Sequence, residues 1–257
     1  MSSQADRPQR VLVVTPAFNE QAMVGEVVRE IRTSLPTAAV VVVDDGSTDS
    51  TARRAREAGA LVLSLPFNLG VGGAMRVGYR FALRRGYDAV VQVDADGQHD
   101  PREIPRLLAG LEGSDIVIGA RFAGKGTHDV PGLRRWMMKR LARLVSRVAG
   151  VALTDVTSGF RAAGPQAIRV FSRTYPAEYL GDTVESLVIA SKHGLIISQV
   201  PVAMRERLGG EPSQTSIRAS IYALRAVAVI LLSRIQTWPS PRQNPDPETA
   251  KSYGGQT

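Results

Sequence analysis

Between Val11 and Ile118, five short apolar runs alternate with segments of helical spacing, and this alternation constrains the fold more than any other feature of the chain. The runs are Val11 to Thr15, Val40 to Val43, Leu61 to Leu65, residues 89–93 and Asp115 to Ile118. Runs of β-branched residues without polar alternation read as strands buried on both faces. Strands that take turns with helices belong to a parallel sheet with right-handed crossovers. The intervening helices are predicted from an Asn19 N-cap to Ser34, over 50–58 with Gly59 closing the turn, over 74–85, and from Asp100, where Pro101 and Glu103 follow as first-turn proline and capping-box acid. The expected class is α/β, a Rossmann-like, mainly parallel sheet flanked by helices.

Two of the valine runs end in paired carboxylates. Asp44-Asp45 follows one, and Asp94-Ala95-Asp96-Gly97-Gln98 follows another. Open α/β sheets bind ligands outside the carboxyl ends of their strands. Two hard oxygen donors there suit Mg²⁺ or Mn²⁺, which a few carboxylates hold together with substrate phosphates. A lone Asp-X-Asp is a weak signal, and the second pair at a second strand end strengthens it. Asn68-Leu69-Gly70-Val71-Gly72-Gly73 lacks both the Gly-X-Gly-X-X-Gly and the P-loop pattern, and reads as a tight turn with close helix–sheet packing. His99 reads as a turn residue rather than a ligand, and Thr48 and Asp49 as a helix cap.

Composition narrows the chemistry. The chain of 257 residues has no cysteine, which excludes disulfides, thiolate catalysis and thiolate zinc sites. His99, His128 and His193 have no metal-ligand spacing. The polar stretch Met1 to Arg10 lacks the apolar core of a secretory signal, and no window approaches the ~18 apolar residues of a membrane span. The net charge of +8 concentrates in 134–147 and 205–234, and the aromatic fraction of 5% is low for a base-stacking surface. A nucleic-acid partner is therefore not expected.

Pro131 to Gly150 is predicted as an amphipathic helix, with Trp136, Met137, Leu141 and Leu144 on one face and Arg140, Arg143 and Arg147 on the other. That combination suits the surface of an anionic membrane. Further helices are expected over 165–171 and from Gly181 to His193, a strand over Leu195 to Val200, and an amphipathic membrane-associated helix within 216–237. Residues 1–9 are expected to be flexible and 238–257 to form a disordered tail.

In their order and spacing, Pro16-Ala17-Phe18-Asn19-Glu20, Asp44-Asp45-Gly46-Ser47, Asp94-Ala95-Asp96-Gly97-Gln98, Gly119-Ala120-Arg121 and Asp155-Val156-Thr157-Ser158-Gly159-Phe160-Arg161 resemble the family 2 glycosyltransferases of GT-A fold. The branch they resemble is that of the dolichyl- and polyprenyl-phosphate mannose and glucose synthases, over a domain spanning about residues 10–215. The resemblance implies that Pro16, Phe18, Glu20, Val43 and Asp45 hold the nucleoside, with phenylalanine replacing the family's tyrosine. It implies that Asp94 and Asp96, with Ala95 between them and Gln98 beyond, hold the divalent metal and the donor diphosphate. Arg121 then meets the phosphates near the acceptor, Ser158 and Arg161 lie under the acceptor phosphate, Glu185 faces the active site, and Arg207 closes over the diphosphate. Where the branch has a Ser-Lys pair after that arginine, this chain has Ser213-Gln214, and Arg205 is the cation expected to compensate.

The implied reaction moves a hexose, mannose first, from GDP-mannose or a UDP-hexose to a polyprenyl or dolichyl phosphate at the cytoplasmic membrane face. The enzyme would be peripheral and inverting, with a separate membrane subunit as a further partner. A phosphate monoester with its second pKa near ~6 is already a dianion at neutral pH and needs no protein base. Two rival readings stand beside this. One is transfer to a glycolipid or polysaccharide hydroxyl with Glu185 as base and Asp182 second. The other is a non-catalytic sugar-nucleotide-binding subunit.

Overall fold

The computed structural model of the chain describes residues 9–121, 153–176 and 182–205, together with Arg140, Arg143, Ser146 and Arg147. The elements run β1 (Val11–Ala17), α1 (Val24–Ser34), β2 (Ala39–Asp44), α2 (Thr51–Glu57), β3 (Leu61–Ser64), α3 (Gly70–Arg85), β4 (Ala89–Gln92), α4 (Ile104–Ala109), β5 (Ile116–Arg121), β6 (Arg161–Ala163), α5 (Pro165–Thr174), α6 (Asp182–Lys192) and β7 (Ile197–Val202). The strands form one sheet in the order β3-β2-β1-β4-β6-β5-β7. β3, β2, β1 and β4 pair in parallel, as do β5 and β7. β6 lies antiparallel between β4 and β5. The expected mainly parallel sheet is present, with this one reversed strand added. Three residues, Arg161–Ala163, are too short a run to register as a strand by periodicity.

Both faces of the sheet are covered, which explains the unbroken valine runs. Val41 and Val43 of β2 pack with Met75 and Tyr79 of α3, while Val40 and Val42 point the other way into the layer of Val27, Val28 and Ile31 from α1. All these side chains are buried, each worth roughly 1.5–3 kcal/mol when removed from water. Behind the sheet, Tyr79 meets Phe171 and Tyr175 with ring centroids 5.2 Å apart in each pair. This aromatic knot fastens α3 to α5, joining the first half of the chain to the second. Burial pushes the Tyr79 hydroxyl's pKa up, against the opposing pull of nearby Arg161.

Local signals are mostly obeyed. Gly59 ends α2 in the left-handed region at φ 91°. The Asp100 carboxylate accepts the Arg102 N–H at 3.1 Å over a 3₁₀ turn at Pro101–Glu103 that leads into α4. Two starts differ. α1 begins at Val24 rather than behind Asn19, because Asn19 takes φ 55° and spends its side chain elsewhere. α3 begins four residues early, at Gly70, because a buried carboxylate caps it. Among the described residues no helix is long and apolar enough to cross a membrane. The segment 131–148 is described only at the four positions named above, which are helical, with Arg140, Arg143 and Arg147 exposed. The expected helix in 216–237, the two termini, Gln214 and Arg207 lie outside the described residues.

Candidate active site

Parallel pairing places the carboxyl ends of β1, β2 and β4 along one edge of the sheet. β6 runs the other way, so its beginning lies at that same edge, where Arg161 is in register with both Gln92 and Ile118. The end of β5 at Arg121 and the end of β7 at Val202 reach it together. Loops that are distant in sequence thereby meet: 18–23, 44–50, 65–69, 93–100, 153–160 and 203–205. Topology alone creates this convergence.

The first two loops are stitched to each other. The Asn19 N–H donates to Ser47 Oγ at 2.9 Å, and the Thr48 N–H returns a bond of 2.9 Å to Asn19 Oδ1. The Glu20 N–H reaches Thr51 Oγ1 at 2.8 Å, and the Ser50 N–H reaches Gln21 Oε1 at 3.1 Å. Asn19 can sit at positive φ because asparagine tolerates the left-handed region better than most residues. Pro16 and Val43 are paired in the sheet, and the Val43 side chain is a core residue. Phe18 is 45% exposed at the loop tip. It is well placed to offer a ring face to a planar ligand.

Asp45 has a structural duty that the sequence did not reveal. Its two carboxylate oxygens accept the Leu69 and Gly70 N–H groups, each at 2.7 Å, at the start of α3. A carboxylate satisfies the positive end of a helix well, and here it occupies the position a phosphate would otherwise take. Burial raises the Asp45 pKa, partly offset by those two N–H bonds, while neighbouring Asp44 raises it further. The glycine-rich turn thus acts as a packed helix start, as expected, rather than as a phosphate cradle. Gly46 at φ 76° lies against this junction, where a Cβ would stand 2.8 Å from the Phe67 carbonyl carbon and 2.9 Å from the Asn68 nitrogen. Gly46→Ala is expected to cost about 2–3 kcal/mol, from left-handed strain plus a backbone clash. A urea unfolding midpoint measures it.

Asp94 and Asp96 follow β4 directly. The Asp96 Oδ1 accepts the Gln98 N–H at 3.0 Å, closing a tight turn through Gly97. Asp94 is bonded by Gln92 at 3.0 Å and flanked by His99. Ala95 is buried, and Asp94, Asp96 and Gln98 are each half-buried at the rim. Among the described residues no group of three or more His, Cys, Asp or Glu forms a ready cation cage. The loop instead offers two carboxylates and an amide. That donor set fits Mg²⁺ or Mn²⁺, for which substrate phosphates and water complete the shell.

The acceptor-side candidates divide. Ser158 and Arg161 are both buried, Arg161 to 5% exposure. The Arg161 guanidinium donates to Ser158 O at 2.7 Å, Thr183 O at 2.9 Å, Ser186 Oγ at 2.8 Å and Val156 O at 3.0 Å. Four of the five N–H groups of an arginine are thereby committed inside the fold. Through these bonds Arg161 staples the 153–160 segment to α6, the helix that carries half-buried Glu185. Arg121 ends β5 at this edge, and Asp182 opens α6. Arg205, expected to compensate for the missing lysine, pairs with Glu30 at 2.7 Å and Asp100 at 3.1 Å. Arg102 bonds the same Asp100 carboxyl and, against the effect of burial, holds it below the usual carboxylate range, with Arg205 helping. That expectation for Arg205 is corrected.

The sequence assigns no role to Gln92 and marks His99 only as a turn residue. A signal existed for Gln92, a polar side chain inside an otherwise apolar buried strand. None existed for the stacking of His99 on Phe160, residues sixty positions apart.

Comparison with known proteins places the chain in a family. The model of the family described as Glycosyl transferase family 2 matches residues 12–171. An undecaprenyl-phosphate mannosyltransferase of Micrococcus luteus is 34% identical over 209 residues, covering 79% of this chain and 86% of the relative. A polyprenol monophosphomannose synthase of Mycolicibacterium smegmatis is 31% identical over 230 residues, covering 83% and 85%. Among solved structures, glucosyl-3-phosphoglycerate synthase of Mycobacterium tuberculosis, in complex with Mn²⁺, UDP and glucosyl-3-phosphoglycerate, superposes with a TM-score of 0.66 at 26% identity. That superposition covers 88% of this chain and 80% of the other.

Proposed function

The chain belongs to glycosyl transferase family 2, and from that membership we propose that it moves a hexose, mannose first, from a nucleoside-diphosphate sugar to a polyprenyl phosphate. The reading is supported most by the meeting at one sheet edge of the stitched 16–21 and 44–51 loops with the Asp94–Gln98 turn. The two mannosyl relatives support the acceptor and the sugar.

In this reading Phe18, Pro16, Glu20 and the Asp45 region bind the nucleoside. Asp94, Asp96 and Gln98 would hold a divalent cation, whose charge balances that on the departing diphosphate. The solved relative holding Mn²⁺ with UDP supports this assignment. Arg121 and Arg207 are assigned to the phosphates. The acceptor phosphate, a dianion at neutral pH, attacks the anomeric carbon directly, and one displacement inverts it. Glu185 shapes the acceptor side and needs to carry no proton. Exposed Arg140, Arg143 and Arg147 support contact of the 131–148 segment with anionic lipid, at the cytoplasmic face where nucleotide sugars are available.

The test supplies radiolabelled GDP-mannose, UDP-glucose or UDP-GlcNAc together with a short polyprenyl phosphate. Label is expected in an acid-labile lipid product with one donor, and lost on addition of EDTA. Donor hydrolysis without lipid labelling would overturn the acceptor assignment in favour of a hydroxyl acceptor with Glu185 as base.

A further inference from the structure

Three separate stretches of chain close around the carboxylate of Asp94. Gln92, the last residue of β4, donates a side-chain N–H to Asp94 Oδ1 at 3.0 Å. His99 accepts the Asp94 main-chain N–H on Nδ1, also at 3.0 Å, and brings Nε2 to 3.7 Å from Asp94 Oδ2. Gly159 lies over the same atoms, where a Cβ would stand 3.0 Å from both Asp94 Oδ2 and Gln92 Nε2. No bulkier residue fits there without moving the carboxylate.

The imidazole is oriented as firmly as the carboxylate. An Nδ1 that accepts an N–H has its lone pair committed, so the ring proton resides on Nε2, the nitrogen facing Asp94. The ring is 6% exposed and lies flat on fully buried Phe160, with centroids 4.8 Å apart and planes 12° apart. The main chain of His99 bridges Met204, and the Arg205 N–H donates to Gln98 O at 2.9 Å. One histidine thus touches both the backbone and the carboxylate of Asp94, and is backed by a segment from the far side of the sheet.

We propose that His99 is a positioning residue for the divalent cation. It sets the rotamer of Asp94, so that the carboxylate meets the cation and diphosphate without reorganising. The inference rests on the reading of Asp94 and Asp96 as cation ligands. Groups that orient a metal-holding side chain contribute to affinity through that side chain, and their loss typically costs about 10–100-fold in metal affinity or activity. Gln92 shares the task on the other oxygen. Phe160 serves it indirectly by fixing the plane of the ring.

Mn²⁺ titration followed by electron paramagnetic resonance, with UDP or GDP present and no acceptor, separates this role from catalysis. Wild type is expected to bind Mn²⁺ and Asp96→Asn to lose it; a wild type that binds none would overturn the ligand reading itself. His99→Ala is expected to weaken Mn²⁺ binding about 10–100-fold while circular dichroism and the unfolding midpoint show a folded protein. His99→Gln, whose amide N–H can take the place of Nε2–H, recovers most of that loss. Unchanged Mn²⁺ affinity in folded His99→Ala, with wild type binding normally, overturns the proposal and leaves the ligand reading intact. Should His99→Ala fail to fold, Phe160→Leu keeps an apolar filling but removes the flat ring. Weakened Mn²⁺ binding there supports the proposal, and unchanged binding overturns it.

Discussion

Asp96→Asn is expected to lower sugar transfer by about 10³-fold with the fold unchanged. Asparagine keeps the shape of the side chain and retains the oxygen that accepts the Gln98 N–H, now at 3.0 Å, so the turn after β4 survives. What disappears is one negative charge from a two-carboxylate donor set, in a site where no group of three or more His, Cys, Asp or Glu among the described residues could hold the cation instead. Charge stabilisation of a leaving diphosphate is worth several kcal/mol, and about 4 kcal/mol corresponds to roughly 10³ in rate. Initial rates of lipid labelling check the figure, with circular dichroism to establish folding. Near-normal turnover in the variant would remove the cation from the Asp94–Gln98 loop.

Arg161→Ala is expected to be the more destructive change to stability, by about 4 kcal/mol. The substitution empties a buried site and strips N–H donors from the carbonyls of Val156, Ser158 and Thr183 and from the Ser186 hydroxyl. Ser186 Oγ still donates to Thr183 O, so the carbonyls of Val156 and Ser158 lose most; a buried group left without a partner costs about 1–3 kcal/mol, and the emptied cavity adds to it. Against a typical stability of about 5–15 kcal/mol, this is a large fraction. Arg161→Lys keeps the charge but loses the planar fork, so it recovers only part of the loss. Urea unfolding of the three proteins tests the ranking. If Arg161→Ala unfolds like wild type while binding polyprenyl phosphate poorly, the arginine is a ligand and the staple assignment fails.

Much of the architecture was legible before any coordinates. Valine runs at a spacing that leaves room for helices dictate a layered α/β sheet, because a strand apolar on both faces must be covered on both. The carboxylates at the ends of two such runs had to fall on one edge once the strands were parallel. Gly59 and Asp100-Pro101 marked their turns correctly because capping and left-handed conformations are local, decided by neighbours within four residues. Asn19 misled for the same reason: a good local cap was outbid by hydrogen bonds to Ser47 and Thr48, nearly thirty residues away.

The composition and order of the chain therefore determined the fold class and the placing of the paired carboxylates at one edge of the sheet. The tertiary structure alone decided how those carboxylates are used. It spent Asp45 on the N-terminus of α3, buried Arg161 as a staple, paired Arg205 with Glu30 and Asp100, and set His99 against Asp94 by laying its ring on Phe160. A charged side chain has the same formula whether it meets a ligand or a backbone N–H. Which one it meets depends on what the chain brings within about 3 Å, and β6, reversed between β4 and β5, sets Arg161 beside Gln92 and Phe160 against the ring of His99.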